Sequence, residues 1–134
     1  MNLRNLFRVT AVLTIISGLF WLLAPEAMAA SYGLNLDPYG AYLVRIIGTF
    51  NTALAILAFL ASRIAHSPAR QAIVTAFLVQ QALSLFVNLI ATLGGVLPGS
   101  AGWTAVTFNF LFVLAFGYFR FIRPEEAMTP GLQS

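Results

Sequence analysis

The residues that could take part in chemistry are few, and most lie singly in an apolar chain. The 134 residues include seven basic and four acidic side chains, one His and no Cys. Without Cys, the chain can form neither disulfides nor thiolate metal sites. Arg45 is the most informative of these residues, because it lies inside an otherwise apolar segment that is predicted to cross a membrane. A guanidinium in that position pairs with a carboxylate or binds an anion.

The expected depth of Arg45 points to a partner. It lies seven positions after Pro38, the predicted first residue of a helix, and so about 10 Å along that helix. A guanidinium at that depth must reach the interface or find an opposite charge. Glu26 is the preferred partner, because a short helix after Pro25 would return it to the same depth, and Asp37 is second. Two interpretations stay open, namely an ion pair that fixes topology and a site for an anion or a lipid headgroup.

Polar side chains inside the predicted spans supply the remaining candidate ligand-binding groups. Gln81, Ser84 and Asn88 share one helical face, and Asn51 lies near the edge of the polar face that includes Arg45. Small and polar residues also let membrane helices pack closely, which is the simpler explanation. The alternative is a small polar cavity between helices. The candidate ligand-binding residues are Arg45, Glu26, Asn51, Gln81, Ser84 and Asn88.

Templates for catalysis and for metal binding are incomplete in this chain. No carboxylate lies inside a predicted span, and Ser17 and Ser84 have no His or Lys near them in sequence. His66, in the loop between Arg63 and Arg70, cannot form a metal or haem site alone and is expected to be solvated. We therefore expect no catalytic residue and no metal site. The sequence names no cofactor, and we do not expect an enzyme.

Composition and charge spacing define the elements that hold these residues. Hydrophobic residues make up 60% and charged residues 8%, against roughly 45–50% and about 25% in soluble domains. We therefore do not expect a soluble enzyme, a nucleic-acid binder or a disordered chain. Uncharged stretches of 17, 17 and 49 residues fit one, one and two spans of about 20 residues. The predicted spans are 6–24, 38–62, 68–93 and 101–122, followed by a short cytoplasmic tail over 124–134.

Local signals mark where the spans begin and end. Asp37 and Ser67 are predicted N-caps, each followed by a proline, and Ser100 is the predicted N-cap of the fourth span. Pro25 ends the first span and begins a short interfacial helix that stops at Gly33. The expected fold class is all-α, a single-domain integral membrane four-helix bundle with that interfacial helix between spans one and two.

Charge placement predicts the orientation of the chain. Four spans put both termini on one side, and six of the seven arginines then share that side. This positive-inside bias predicts cytoplasmic N and C termini. Residues 1–30 also look like a signal peptide with a cleavage motif at Ala27-Met28-Ala29. The apolar run is longer than in most signal peptides, so we expect a retained span.

Three short runs stand out within the four-span layout: Trp21-Leu22-Leu23-Ala24-Pro25, Tyr32-Gly33-Leu34 and Arg45-Ile46-Ile47-Gly48. They resemble the small DoxX-like bacterial membrane proteins, and the resemblance covers most of the chain. It implies a four-helix bundle in the bacterial cytoplasmic (inner) membrane. Some relatives are linked to quinone-dependent oxidoreductases as small accessory subunits. The resemblance transfers no catalytic residues, since Arg45 and Gly48 match by position only.

These observations favour a non-catalytic accessory or assembly subunit of a larger membrane complex, of which respiratory and photosynthetic complexes are examples. The alternative is a binder or transporter of a small molecule, a quinone or a lipid, with a site between polar helix faces near Arg45. An enzyme that acts on a quinone or a lipid has the least support. The expected partners are the lipid bilayer, other membrane subunits or a second copy, and a quinone, pigment or lipid, with no nucleic acid.

Overall fold

The computed structural model describes residues 2–65 and 67–124. Within those ranges the chain is helical and forms no strand, which confirms the all-α class. His66 and the predicted tail from residue 125 onward lie outside the described residues.

The described part of the chain forms five α-helices: α1 (Leu3–Leu23), α2 (Pro25–Ser31), α3 (Pro38–Ala61), α4 (Pro68–Leu93) and α5 (Gly99–Gly117). A π-helical turn over Tyr118–Ile122 continues α5. Four helical segments are long and apolar enough to cross a membrane, namely α1, α3, α4 and Gly99–Ile122. The helices begin and end within three residues of the predicted spans.

Side-chain caps account for three of the helix starts. The side chains of Asn2, Asp37 and Ser67 accept hydrogen bonds from backbone N–H groups at the starts of α1, α3 and α4. Asp37 accepts from the N–H of Gly40 at 2.6 Å, and these contacts confirm both proline-linked caps. The Asn2 cap, which sequence reasoning missed, begins α1 three residues earlier than predicted.

The predicted cap at Ser100 is wrong. α5 begins one residue before it, at Gly99, and no side chain caps this helix. The physical reason is Pro98, whose extended backbone leads into the helix and whose carbonyl oxygen accepts the first helical hydrogen bond from Gly102 at 2.8 Å. Ser100 therefore lies inside the first turn, where its carbonyl oxygen accepts from the Thr104 hydroxyl at 2.8 Å.

The chain divides into two compact units, Met1–Arg63 and Ile64–Ser134, and each is described by itself. In the first unit α1 packs along α3, and the contact is closest at two glycines. A Cβ atom on Gly48 would lie 2.6 Å from the backbone nitrogen of Leu22, and one on Gly18 would lie 2.9 Å from that of Thr52. Residue 18 thus lies opposite residue 52, and residue 22 opposite residue 48, so the two helices are antiparallel.

In the second unit α4 packs against α5 and the π-helical turn. The rings of Phe77 and Phe116 stack with their centroids 5.4 Å apart, and both side chains are buried. Gly102 is buried against the side chain of Thr92. At the other end, the side-chain amide of Gln71 donates to the carbonyl oxygen of Arg120 at 3.3 Å. These contacts connect both ends of α4 to the following helix.

Gly48→Ala is expected to lower the free energy of unfolding by about 1–3 kcal/mol, because its methyl group must displace the α1 backbone. The matched control is Gly117→Ala, whose Cβ would meet only Leu78 Cδ1 at 3.9 Å. That variant is expected to be neutral or up to ~1 kcal/mol more stable, since Ala favours a helix more than Gly does. Unfolding in detergent micelles, followed by circular dichroism, measures both changes. Equal stabilities would contradict the close approach of α1 and α3.

Candidate functional site

The candidate site lies at the junction between α1 and α2 in the first unit. The backbone of Ala24 leaves the helical region, with φ −138° and ψ 56°, and Pro25 begins α2 directly after it. This break places Glu26 in the first turn of the short helix. Gly33 then adopts φ +71°, a conformation that favours glycine, as predicted for the end of this helix. The chain is thereby turned back toward the start of α3.

Arg45 and Glu26 form an ion pair, as the sequence predicts. Arg45 Nη2 donates to Glu26 Oε1 at 3.3 Å. The antiparallel register explains the pairing, because continuing it from Gly18 and Gly48 brings residue 45 beside the start of α2. Asp37, the second predicted partner, instead caps α3.

The pair is open to its surroundings. The side chains of Arg45 and Glu26 are 47% and 60% exposed. A guanidinium carries five N–H donors, and this contact uses one of them. The site therefore combines a fixed carboxylate with a guanidinium that retains donors for a phosphate, a carboxylate or a carbonyl group.

An aromatic stack that spans the break between α1 and α2 was missed by sequence reasoning. The rings of Trp21 and Tyr32 lie nearly parallel, with their centroids 5.9 Å apart. Trp21 lies near the end of α1 and Tyr32 directly follows α2. The stack therefore packs the end of α2 against the end of α1. The available signal was the position of the two aromatic residues on either side of the Pro25 break.

The other predicted site residues do not join the pair. Asn51 is half-buried at the contact between α1 and α3, beside Gly18. Gln81, Ser84 and Asn88 belong to the second unit. Their role in ligand binding stays a prediction.

Two of these three residues of α4 have side chains that are buried or hydrogen-bonded within the helix. Gln81 is buried. The hydroxyl of Ser84 accepts a hydrogen bond from the side chain of Gln80 at 3.1 Å. At Asn88 the backbone carbonyl oxygen, and not the side chain, accepts from the hydroxyl of Thr92 at 2.7 Å. The environment of Gln81 and Ser84 agrees with a packing role for this polar face.

Two surface depressions lie away from the ion pair. One, of about 240 Å³, is an apolar groove between α1 and α3. The other, of about 280 Å³, lies on α5 and is lined by Trp103, Thr104, Thr107 and Phe108. Neither includes a predicted site residue. Among the described residues, no three His, Cys, Asp or Glu side chains come together as a metal site would require.

Within residues 2–65 and 67–124, four apolar helices and an ion pair beside the end of one of them define an all-helical structure with four candidate membrane spans. The chain belongs to a family described as a domain of unknown function (DUF8292), whose model matches residues 1–122. That match includes all four candidate spans and the ion pair. No curated protein and no solved structure matches the chain.

A double-mutant cycle with Arg45→Gln and Glu26→Gln is expected to show a favourable coupling of about 1 kcal/mol or less, because the pair is exposed and makes one contact. The measurement is the free energy of unfolding in detergent. The control cycle combines Glu26→Gln with Arg63→Gln, whose guanidinium lies over the Phe59 ring near the other end of the unit. Its coupling is expected to be near zero, and equal couplings in both cycles would contradict a specific pair.

Proposed function

We propose that the protein is a non-catalytic accessory or assembly subunit of a larger membrane complex in a bacterial cytoplasmic membrane. The observation that carries this proposal is a stripe of large exposed side chains on α5. The stripe consists of Trp103, Phe110 and Leu114. These residues are spaced by seven and four positions, so they follow one line along the α-helix.

The stripe faces away from the helix that packs on α5. Within the second unit, α4 is met by Gly102 and Phe116, which lie on a different face of α5. Lipid tails accept apolar side chains at any spacing, whereas a repeat of seven and four residues matches the packing of a second helix. This spacing supports a protein neighbour at the stripe, either a different subunit or a second copy of the chain.

The orientation belongs to the same proposal. Six of the seven arginines lie in segments that share one side if all four candidate spans cross the membrane. The positive-inside rule then supports cytoplasmic N and C termini. Arg45 is left near the opposite face, paired with Glu26.

Cysteine cross-linking tests the stripe, because the natural chain contains no Cys. Leu114→Cys, treated with a short bifunctional thiol-reactive and photoactivatable reagent in native membranes, is expected to give one discrete cross-linked product. The matched control is Phe108→Cys, which is equally exposed on another face of α5 and is expected to give little product. Mass spectrometry identifies the neighbour. Similar products from both positions, or none from Leu114→Cys, would contradict the proposal.

A second function is favoured by the geometry at Arg45. An exposed guanidinium with unused donors, paired with Glu26, suits a quinone carbonyl or a lipid phosphate. The proposal is a binder or transporter of a small molecule, a quinone or a lipid, with its polar contact at Arg45.

Arg45→Gln separates a binding role from a structural one. If the pair forms a ligand site, the variant is expected to keep its helical content and to lose a small molecule that copurifies with the natural protein in mild detergent. Mass spectrometry of the extracted small molecules provides the measurement. Arg120→Gln is the control, because it removes an arginine from the other unit. Loss of folded Arg45→Gln protein, with no ligand on the natural protein, would assign the pair to structure.

A further inference from the structure

The apolar groove of the first unit lies between α1 and α3, away from the Arg45–Glu26 pair. Its volume is about 240 Å³. Each helix contributes about one turn to it. The lining residues are Ala11, Val12, Ile15, Ala55, Ile56 and Phe59.

The groove follows from the size of the facing residues. Ala11 and Ala55 are almost fully buried and form its floor, where their methyl groups leave space. Val12, Ile56 and Phe59 are largely exposed and form its rims. The lining is therefore apolar on the floor and on both sides.

One end of the groove is basic. Arg8 is exposed and lies one turn before Ala11 and Val12 on α1. Arg63 follows α3, and its guanidinium carbon lies 4.4 Å from the centre of the Phe59 ring, which lines the groove. The antiparallel register places Arg8 level with Arg63.

The acidic side chains described in the first unit lie far from this basic end of the groove. Within the described residues of the first unit, the carboxylates are those of Glu26 and Asp37. Both are engaged at the other end, Glu26 with Arg45 and Asp37 at the start of α3. Arg8 and Arg63 therefore form a positive surface that these acids do not neutralise.

We propose that this groove binds an anionic phospholipid, with its phosphate between Arg8 and Arg63 and part of an acyl chain along the groove. Guanidinium groups hydrogen-bond phosphate oxygens in a fixed geometry, and arginines near a membrane surface attract anionic headgroups. The site goes beyond the proposed function, since it uses neither Arg45 nor the stripe on α5.

The dimensions favour a lipid tail over a protein helix. The lining residues extend over about 6 Å of each helix, which is four steps of 1.5 Å. A helix with its side chains is about 10–12 Å wide and would not enter such a short groove. A single hydrocarbon chain is narrow enough to lie in it.

Native mass spectrometry of the full chain in detergent tests the headgroup contact. Dioleoyl-phosphatidylglycerol is expected to bind more tightly than dioleoyl-phosphatidylcholine, which has the same tails and no net charge. Arg8→Gln and Arg63→Gln are each expected to weaken phosphatidylglycerol binding roughly fivefold. Phosphatidylcholine binding is expected to weaken less, because its choline ammonium offsets the charge of the phosphate that the arginines contact. Arg120→Gln, whose guanidinium also lies near a Phe ring, is the matched control and should bind as the natural protein does.

Filling the groove tests the tail contact. Val12→Trp is expected to weaken binding of both lipids, because the larger side chain occupies the space beside Ala11. Leu13→Trp changes the adjacent exposed residue, which does not line the groove, and is expected to have no effect. Both positions are exposed, and circular dichroism verifies that helical content is retained.

Three results would overturn the proposal. The first is equal affinity of the natural protein for the two lipids. The second is equal behaviour of the Arg63→Gln and Arg120→Gln variants. The third is equal behaviour of the two tryptophan variants.

Discussion

The close approach of α1 and α3 at Gly18 and Gly48 determines the rest of the first unit. With no side chain at either position, the two backbones come into direct contact and the antiparallel register has little freedom. That register brings Arg45 beside Glu26 at one end and sets Ala11 near Phe59 toward the other. The ion pair and the apolar groove are thus two consequences of one packing contact. A shift of either helix by one turn would remove both.

Charge is distributed unequally over this unit. At one end Arg45 meets the carboxylate of Glu26, which the Pro25 break places in the first turn of α2. At the other, arginines meet an aromatic ring and an apolar groove. Only 8% of the residues are charged, so each charge matters. The arginine at the first end is paired within the protein, whereas the arginines at the second end are accessible to anions from outside it. The first end supports a fixed topology or a polar ligand, and the second supports an anionic lipid.

The second unit is organised around different contacts. Phe77 and Phe116 stack in its interior, while Gly102 admits the side chain of Thr92 near the loop between α4 and α5. These contacts use one face of α5 and leave the stripe of large side chains exposed. A helix that buries one face and exposes another leaves the exposed face free for lipid or for a neighbouring protein. The proposed accessory role and the proposed lipid site therefore use separate surfaces.

The helices and one side-chain pairing were predictable from the sequence. Charge spacing and proline-linked caps predicted four long helices, the caps at Asp37 and Ser67, and the pairing of Arg45 with Glu26, because these depend on local chemistry and on the depth of one charge. Local reasoning was wrong at Ser100, where a backbone bond from Gly102 to Pro98 starts α5. Three features depend on tertiary packing: the Trp21–Tyr32 stack, the groove, and the alignment of Arg8 with Arg63 at one end of the unit. These depend on how two helices rotate and slide against each other, which periodicity within one helix leaves open and close contact at two glycines resolves.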